Sequence, residues 1–336
     1  MELTTVWFVL IAALWSGYFL LEGFDFGVGM LLPVLGRNDR ERRVLINTIG
    51  PVWDGNEVWL IVAGGAMFAA FPEWYATVFS GFYLPMLLIL IALILRGVAF
   101  EYRGKIDSPT WRRRWDAAII GGSLVPTVLW GIAFANFLRG VPISAEHEYT
   151  GGLFTLLNPY ALLGGLTALT LFATHGAVFL ALKTDGEIRT RAGALAVRLG
   201  ASAVVVTGAF LLWTQLTHAD AMGWALSALA VLALVAALAA AVRRREGLAF
   251  LFTAATIVVG TASVFVTLFP NVLPSATNEA FSLTVENASS TPYTLRVMTW
   301  VAALFTPLVL GYQSWTYWVF RKRLRVEDIP ETRPAP

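Results

Sequence analysis

Long apolar stretches separated by short polar ones run through almost the whole chain. A helix that crosses a bilayer needs about 20 mostly apolar residues at a rise of about 1.5 Å each. Nine stretches meet that length, approximately Thr5–Leu35, Trp53–Phe71, Trp74–Phe100, Trp115–Leu138, Pro159–Thr184, Gly193–Leu216, Met222–Val242, Gly247–Phe269 and Leu295–Phe320. The pattern predicts an all-α polytopic membrane protein with nine transmembrane helices. Between the first two, Arg40–Ile49 reads as a helix lying in the membrane interface. A loose echo between Leu124–Pro142 and Val258–Pro274 suggests a repeat of four helices, hence two four-helix bundles plus one additional helix. Residues 1–325 then make a single integral membrane domain. Residues 326–336, with Pro330, Pro334 and Pro336, read as a mobile cytoplasmic tail.

Charge orients the array. Of 24 Lys and Arg, 20 fall in Arg37–Arg43, Arg103–Arg114, Lys183–Arg191, Arg243–Arg245 and Arg321–Arg333, which nine alternating spans place on one side. The opposite loops contain only Arg139 and Arg296. Cytoplasmic loops carry the Lys and Arg excess, so the N-terminus is expected outside and the C-terminus in the cytoplasm. The longer loops, 139–158 and 270–293, fall outside and are rich in Pro, Asn, Ser and Gly. No basic segment or small-residue cleavage site accompanies the first span, so it is expected to be retained.

Composition agrees. Apolar residues are 57% and charged residues 14% of the chain, against roughly 45–50% and about 25% in soluble domains. Cysteine is absent, which excludes disulfides, thiolate metal sites and Cys-ligated iron–sulfur clusters. The net charge of +2 does not indicate nucleic acid. There is no Gly-rich phosphate loop, nucleophile elbow or metal motif.

The candidate chemistry lies in two acid pairs, Glu22 with Asp25 and Asp54 with Glu57. Three residues apart on a helix, the members of a pair share one face. Acids in or beside hydrocarbon are costly and mark a functional site by default. With the N-terminus outside, Glu22 and Asp25 fall in the cytoplasmic half of the first span, and Asp54 and Glu57 at the cytoplasmic mouth of the second. Arg96, on a span running inward from Trp74, reaches the same level after about 33 Å. Five ionisable groups at one depth fit a proton-uptake path or a buried charge network. Structural readings compete with this. Asp54 and Glu57 fit an N-cap and its capping-box partner, Arg96 fits a side chain snorkelling to the interface, and the glycines at 23, 27 and 29 fit close helix packing. Trp59 fits either the wall of an apolar route from the lipid or a packing residue. Histidine is sparse. His147 and His218 belong to the outer loops, and His175 alone lies within a span, so the chain offers no internal bis-His pair for haem iron. His175 is expected to bond a backbone carbonyl.

Gly23-Phe24-Asp25-Phe26-Gly27 and Trp53-Asp54-Gly55-Asn56-Glu57-Val58-Trp59 resemble subunit II of the cytochrome bd-type quinol oxidases. So do Gly36-Arg37-Asn38-Asp39, Phe79-Ser80-Gly81-Phe82-Tyr83, Leu156-Leu157-Asn158-Pro159-Tyr160 and Met298-Thr299-Trp300. The resemblance runs from the first span to the ninth. It implies a non-haem subunit of a terminal oxidase of the bacterial cytoplasmic membrane, paired with a subunit I that holds two b-type haems and one d-type haem. That complex oxidises quinol and reduces dioxygen to water. It takes its protons from the cytoplasm and builds a membrane potential without pumping. Small accessory membrane subunits accompany some members, and some hold a structural quinone in subunit II. The resemblance assigns Asp54 to the mouth of a proton channel, Asp25 to the first-span acid, and Trp59 to the mouth of an oxygen channel. Some relatives carry Gln in place of Glu57 and Asp in place of Glu22. The alternatives are a proton-coupled secondary transporter, which calls for broken spans and a midplane polar site, and a purely structural chaperone of a haem-binding partner.

Overall fold

The computed structural model describes residues 2–218 and 220–330. Among them are eleven α-helices and one small hairpin, in the order α1 (Leu3–Leu35), α2 (Asp39–Ile49), α3 (Trp53–Ala70), α4 (Pro72–Gly81), α5 (Tyr83–Tyr102), α6 (Pro109–Arg139), α7 (Pro159–Lys183), α8 (Gly186–His218), α9 (Ala221–Val242), α10 (Glu246–Leu268), β1 (Asn271–Leu273), β2 (Leu283–Thr284) and α11 (Pro292–Val319). Several starts carry the local chemistry that a helix N-terminus needs. Ser108, Asn158 and Thr291 each accept a hydrogen bond from a backbone N–H of the first turn, and each is followed by a proline at the first helical position. The cap meets an orphan donor and the proline gives up a donor that had no partner.

Eight described helices are long and apolar enough to cross a membrane: α1 and α5 through α11. Two of the expected spans differ. Trp53–Phe71 is an 18-residue helix, α3, that falls outside this set; Asp54, Asn56 and Glu57 make its first turns polar. The stretch Trp74–Phe100, expected as one span, is divided at Phe82 into α4 and α5. Pro85 is the physical reason. Its ring would clash with the carbonyl of Gly81 in a continuous helix and it has no N–H to donate, so the helix restarts just before it.

Helix α1 is the centre of the molecule. It packs against α3, α6, α7 and α10, while each of α5 to α9 packs on the next in sequence. A helix apolar on all sides belongs in a bundle interior, and α1 buries residues around its circumference. At the loop end, Trp15 meets Trp130 edge-on at 4.8 Å and Phe134 at 5.0 Å. Towards the Arg-rich end, Phe24 stacks on Phe179 at 4.2 Å. Between these clusters α1 and α7 touch backbone to backbone. A Cβ on Gly27 would stand 2.2 Å from the carbonyl oxygen of Phe172 and 2.7 Å from Cα of Gly176. Helix α11 is peripheral: it packs on α1 and α3 and has Leu295 as its buried residue.

The ends are tied down. Val141 donates to Pro274 O at 3.1 Å and accepts from Ala276 N at 2.9 Å, which joins the two long loops beside the β1–β2 hairpin. At the other end α2 is an amphipathic helix, capped by Asn38 and burying Val44, Leu45 and Ile49. Of the segment expected as a mobile tail, residues 326–330 lie against α2, with Arg40 donating to Val326 O at 3.0 Å and Ile329 O at 2.9 Å. Residues 331–336 lie outside the described residues.

The α1–α7 contact leaves no room for a side chain. Gly27→Ala and Gly176→Val are therefore expected to lower the melting temperature of the detergent-purified protein, the overpacking costing about 1–3 kcal/mol. Unchanged melting in both variants would show that the two backbones do not meet as described.

Candidate functional site

Three helices bring the charged side chains together. Glu22 and Asp25 project from α1 and are fully buried, as is Arg96 on α5. Arg96 Nη1 donates to Glu22 Oε2 at 3.0 Å and to Glu57 Oε1 of α3 at 3.5 Å. The guanidinium also lies over the rings of Phe26 (4.8 Å) and Phe100 (5.3 Å), contacts that offset part of its desolvation. Arg96 does not snorkel: its side chain is 0% exposed.

Asp25 belongs to an adjoining network. Its Oδ2 accepts from Asn56 Nδ2 of α3 at 2.7 Å. Asn56 Oδ1 in turn accepts from Tyr317 OH at 2.7 Å and from Gln313 Nε2 at 3.2 Å, both on α11. Gln313 Oε1 accepts from the indole N–H of Trp59 at 2.9 Å. The half-buried Trp59 ring also covers Gly17, where a Cβ would meet it at 2.2 Å.

Asp54 stands apart from both networks. It is exposed, and its Oδ1 accepts from the N–H of Gly55 at 2.8 Å. The capping-box expectation for Asp54 and Glu57 is not met. The N-cap of α3 is Val52, with no side-chain cap, and Glu57 turns to Arg96 instead. The structure thus joins Glu22, Glu57 and Arg96 in one ion cluster. It links Asp25 to α3 and α11 through neutral groups, and leaves Asp54 at the surface where α3 begins. Asn56, Gln313 and Tyr317 were not singled out in the sequence. The four-residue spacing of Gln313 and Tyr317, two polar groups on one face of an apolar helix, was the available signal.

Several polar atoms at the centre are buried without a hydrogen-bond partner among the described residues. They are Glu22 Oε1, Asp25 Oδ1, Arg96 Nε and Nη2, and the hydroxyl of Tyr18, one turn before Glu22 on the same face of α1. Buried polar groups are normally paired, so a cluster of unpaired ones calls for an explanation.

Nearer the Arg-rich end a second ionic group fastens α2, α5 and α6. Asp116 accepts from Arg103 Nε at 2.5 Å and from Arg42 at 2.8 Å, and Asp39 accepts from Arg103 at 2.8 Å. Burial works against the Arg103 charge, but its bonds to Asp116 and Asp39 outweigh that and hold its pKa above the ordinary arginine value.

The histidines are occupied by protein. His175 is buried, with Nδ1 2.7 Å from Thr253 Oγ1 and Nε2 3.2 Å from Leu20 O, so it does find a backbone carbonyl. His218 sets Nδ1 2.9 Å from Thr214 O and Nε2 2.9 Å from Leu138 O.

Fold and site together define a multi-pass α-helical membrane protein with a buried charge network between its first helices. Residues 3–320 match the family model described as cytochrome bd terminal oxidase subunit II. The chain belongs to that family, and is therefore a subunit of a terminal oxidase, an oxidoreductase, in the bacterial cytoplasmic membrane. It is 44% identical over 328 residues to cytochrome bd ubiquinol oxidase subunit 2 of Bacillus subtilis, with 96% of this chain and 97% of that protein covered. It is 39% identical over 362 residues to cytochrome bd-I ubiquinol oxidase subunit 2 of Escherichia coli, with 96% of each covered. Its fold is similar to a chain of the bd oxidase from Geobacillus thermodenitrificans, with a TM-score of 0.78, 18% identity, and 96% and 98% of the two chains covered. Family membership sets aside the transporter reading.

The ion cluster yields a double-substitution test. Arg96→Met leaves Glu22 buried without its cation and is expected to cost about 3–5 kcal/mol, read as a large drop in thermal stability and yield. Adding Glu22→Gln should recover most of that loss, because the uncompensated charge is removed. A single variant as stable as the parent, or a double variant no better than the single, would show that the two side chains are not energetically coupled.

Proposed function

We propose that this chain is the non-haem subunit II of a cytochrome bd-type quinol oxidase, working beside a haem-bearing subunit I. In this reading the complex oxidises quinol and reduces dioxygen to water, with protons drawn from the cytoplasm and no pumping. The N-terminus lies outside, the C-terminus inside, and α3 serves as the ninth span, its Ala70 O accepting from Ser290 N of the 270–293 loop at 2.8 Å while α4 lies against the 139–158 loop through Thr77 and His147 O. The acids near the Arg-rich end form part of the proton-uptake path.

One observation carries the proposal: acids from α1 and α3 meet around a single buried guanidinium of α5, with the exposed Asp54 one turn before Glu57 on α3. Asp54 is placed to take a proton from water. Glu57, half-buried at 21% side-chain exposure, lies between the surface and the fully buried Glu22. The site sets Glu22, Asp25 and Glu57 against Arg96, so a proton held among the carboxyl groups brings the local charge nearer to balance. The unpaired atoms of Glu22, Asp25, Arg96 and Tyr18 are the groups to which water entering along this line would bond. His175 and His218 do not fit as ligands of a haem iron, since both ring nitrogens of each are engaged by the protein, and His147 alone offers no bis-His pair. We therefore assign the two b-type haems and the d-type haem to the partner subunit and route no step of this proposal through them.

The oxygen route belongs to the same proposal. Trp59 is half-buried on α3, and Val58, Ile61 and Val62 on that helix expose apolar surface to lipid or to the partner. An uncharged diatomic molecule partitions into such a surface and would pass Trp59 on its way inward.

The decisive measurement is oxygen consumption with quinol as donor. An amide cannot relay a proton. Asp25→Asn is therefore expected to lower turnover about 10²-fold or more at normal haem content. Asp54→Asn should lower it in the same direction. Parental rates in both variants, with the haem spectrum intact, would remove the acids from the proton path and leave the subunit a structural one.

A further inference from the structure

A second concentration of charge lies away from the acid network, where α7, α8, α9 and α10 meet at the Arg-rich end. A cavity of about 670 Å³ opens there. Small apolar side chains make up much of its wall, and Arg189, Arg198 and Arg244 supply its cationic groups. Its two acids are already engaged: Arg189 Nε bonds Glu246 at 2.8 Å and Arg325 lies 3.0 Å from Asp185. Among the described residues, Arg198 and Arg244 make no ion pair, so the cavity holds an excess of positive charge. Arg244 also has φ +54°, a left-handed conformation that non-glycine residues rarely adopt, in the turn that ends α9.

The depth of this cavity is informative. Helix α9 has 22 residues, about 33 Å, which matches the hydrocarbon thickness of a bilayer. Arg244, just past its end, stands where hydrocarbon gives way to headgroups, and Arg198 lines the same cavity. Two turns deeper the same helix faces are apolar and exposed. Val205 lies seven residues on from Arg198 and is 70% exposed, and Val235 lies seven residues before Val242 and is 45% exposed.

We propose that this cavity is a binding site for an anionic phospholipid. Arg198 and Arg244 bond the phosphate of the headgroup, and the acyl chains descend along the apolar faces of α8 and α9. Guanidinium groups bond phosphate oxygens directionally and lose less on desolvation than an ammonium. Basic pockets between transmembrane helices at the cytoplasmic side suit such headgroups. A zwitterionic lipid brings its own ammonium into a cavity that already has surplus positive charge. Free phosphate meets the arginines but makes no use of the apolar walls.

The test uses the full chain purified within its membrane complex and stripped of loosely held lipid. Binding is followed by native mass spectrometry and by the shift of melting temperature on adding phosphatidylglycerol, phosphatidylethanolamine or inorganic phosphate. Phosphatidylglycerol should bind and stabilise the parent far better than the other two. Arg198→Gln with Arg244→Gln should weaken its binding about 25-fold, each cation contributing a factor of roughly five. Lys105→Gln, which removes an exposed cation elsewhere at the same end, should leave it unchanged. The proposal fails if the double variant binds phosphatidylglycerol as tightly as the parent, or if Lys105→Gln weakens it equally, which would mean diffuse attraction. Displacement of the lipid by millimolar inorganic phosphate would also overturn it, the site then being one for a free anion.

Discussion

Removing a guanidinium from water deep in a helix bundle is among the most costly things a fold can do, and the first part of this chain is arranged to make it tolerable. Arg96 has no exposed surface. Its charge is met by Glu22 from α1 and Glu57 from α3, and its flat faces by Phe26 and Phe100. A buried ion pair gains little over an apolar replacement, but one left half-formed is strongly unfavourable. The consequence is conditional assembly. Helix α5 reaches its position at low cost only when α1 and α3 are already there, so three segments separated in sequence are bound to one geometry. Packing alone would hold them less specifically, because lipid is as good a neighbour as leucine to an apolar helix.

A neutral network extends this arrangement to the edge of the molecule. Asn56 sits beside the ion cluster yet bonds away from it, to Asp25 on one side and to Tyr317 and Gln313 on the other. Helix α11 buries little apolar surface, so these bonds and the one from Trp7 Nε1 to Thr299 are what fix its rotation against α1 and α3. Helix α3 thus mediates between an ionic partner, α5, and a hydrogen-bonding partner, α11. Its first turns are polar for that reason, and those same residues keep this 18-residue helix out of the set long and apolar enough to cross a membrane.

The sequence made much of this legible. Apolar length located the helices, and the three-residue spacing put Glu22 and Asp25 on one face. Counting along the third apolar stretch brought Arg96 to their depth. What escaped was whatever depends on who faces whom. Asp54 and Glu57 satisfied a capping pattern as well as any helix start does, and only the position of α5 drew Glu57 towards Arg96. Asn56, Gln313 and Tyr317 are ordinary polar residues until α3 and α11 are brought together. The break at Phe82 was within reach, since Pro85 stood in the stretch, but a proline near the start of a helix is as often harmless as disruptive.

The glycine motif around Asp25 is explained by the same geometry. Glu22 and Asp25 face α3 and α5, so the opposite side of α1 must pack closely enough to keep water and lipid from reaching them. Gly27 does this by meeting Gly176 backbone to backbone on α7. One turn beyond Asp25, Gly29 admits Ser123 of α6, and next to that serine a Cβ on Gly122 would meet the Arg96 side chain at 2.6 Å. Helix α6 is thereby pressed against both the acid-bearing helix and the one that carries the cation. The contribution of these glycines is distance. They bring the surrounding helices close enough to leave the carboxyl groups facing α3 and α5.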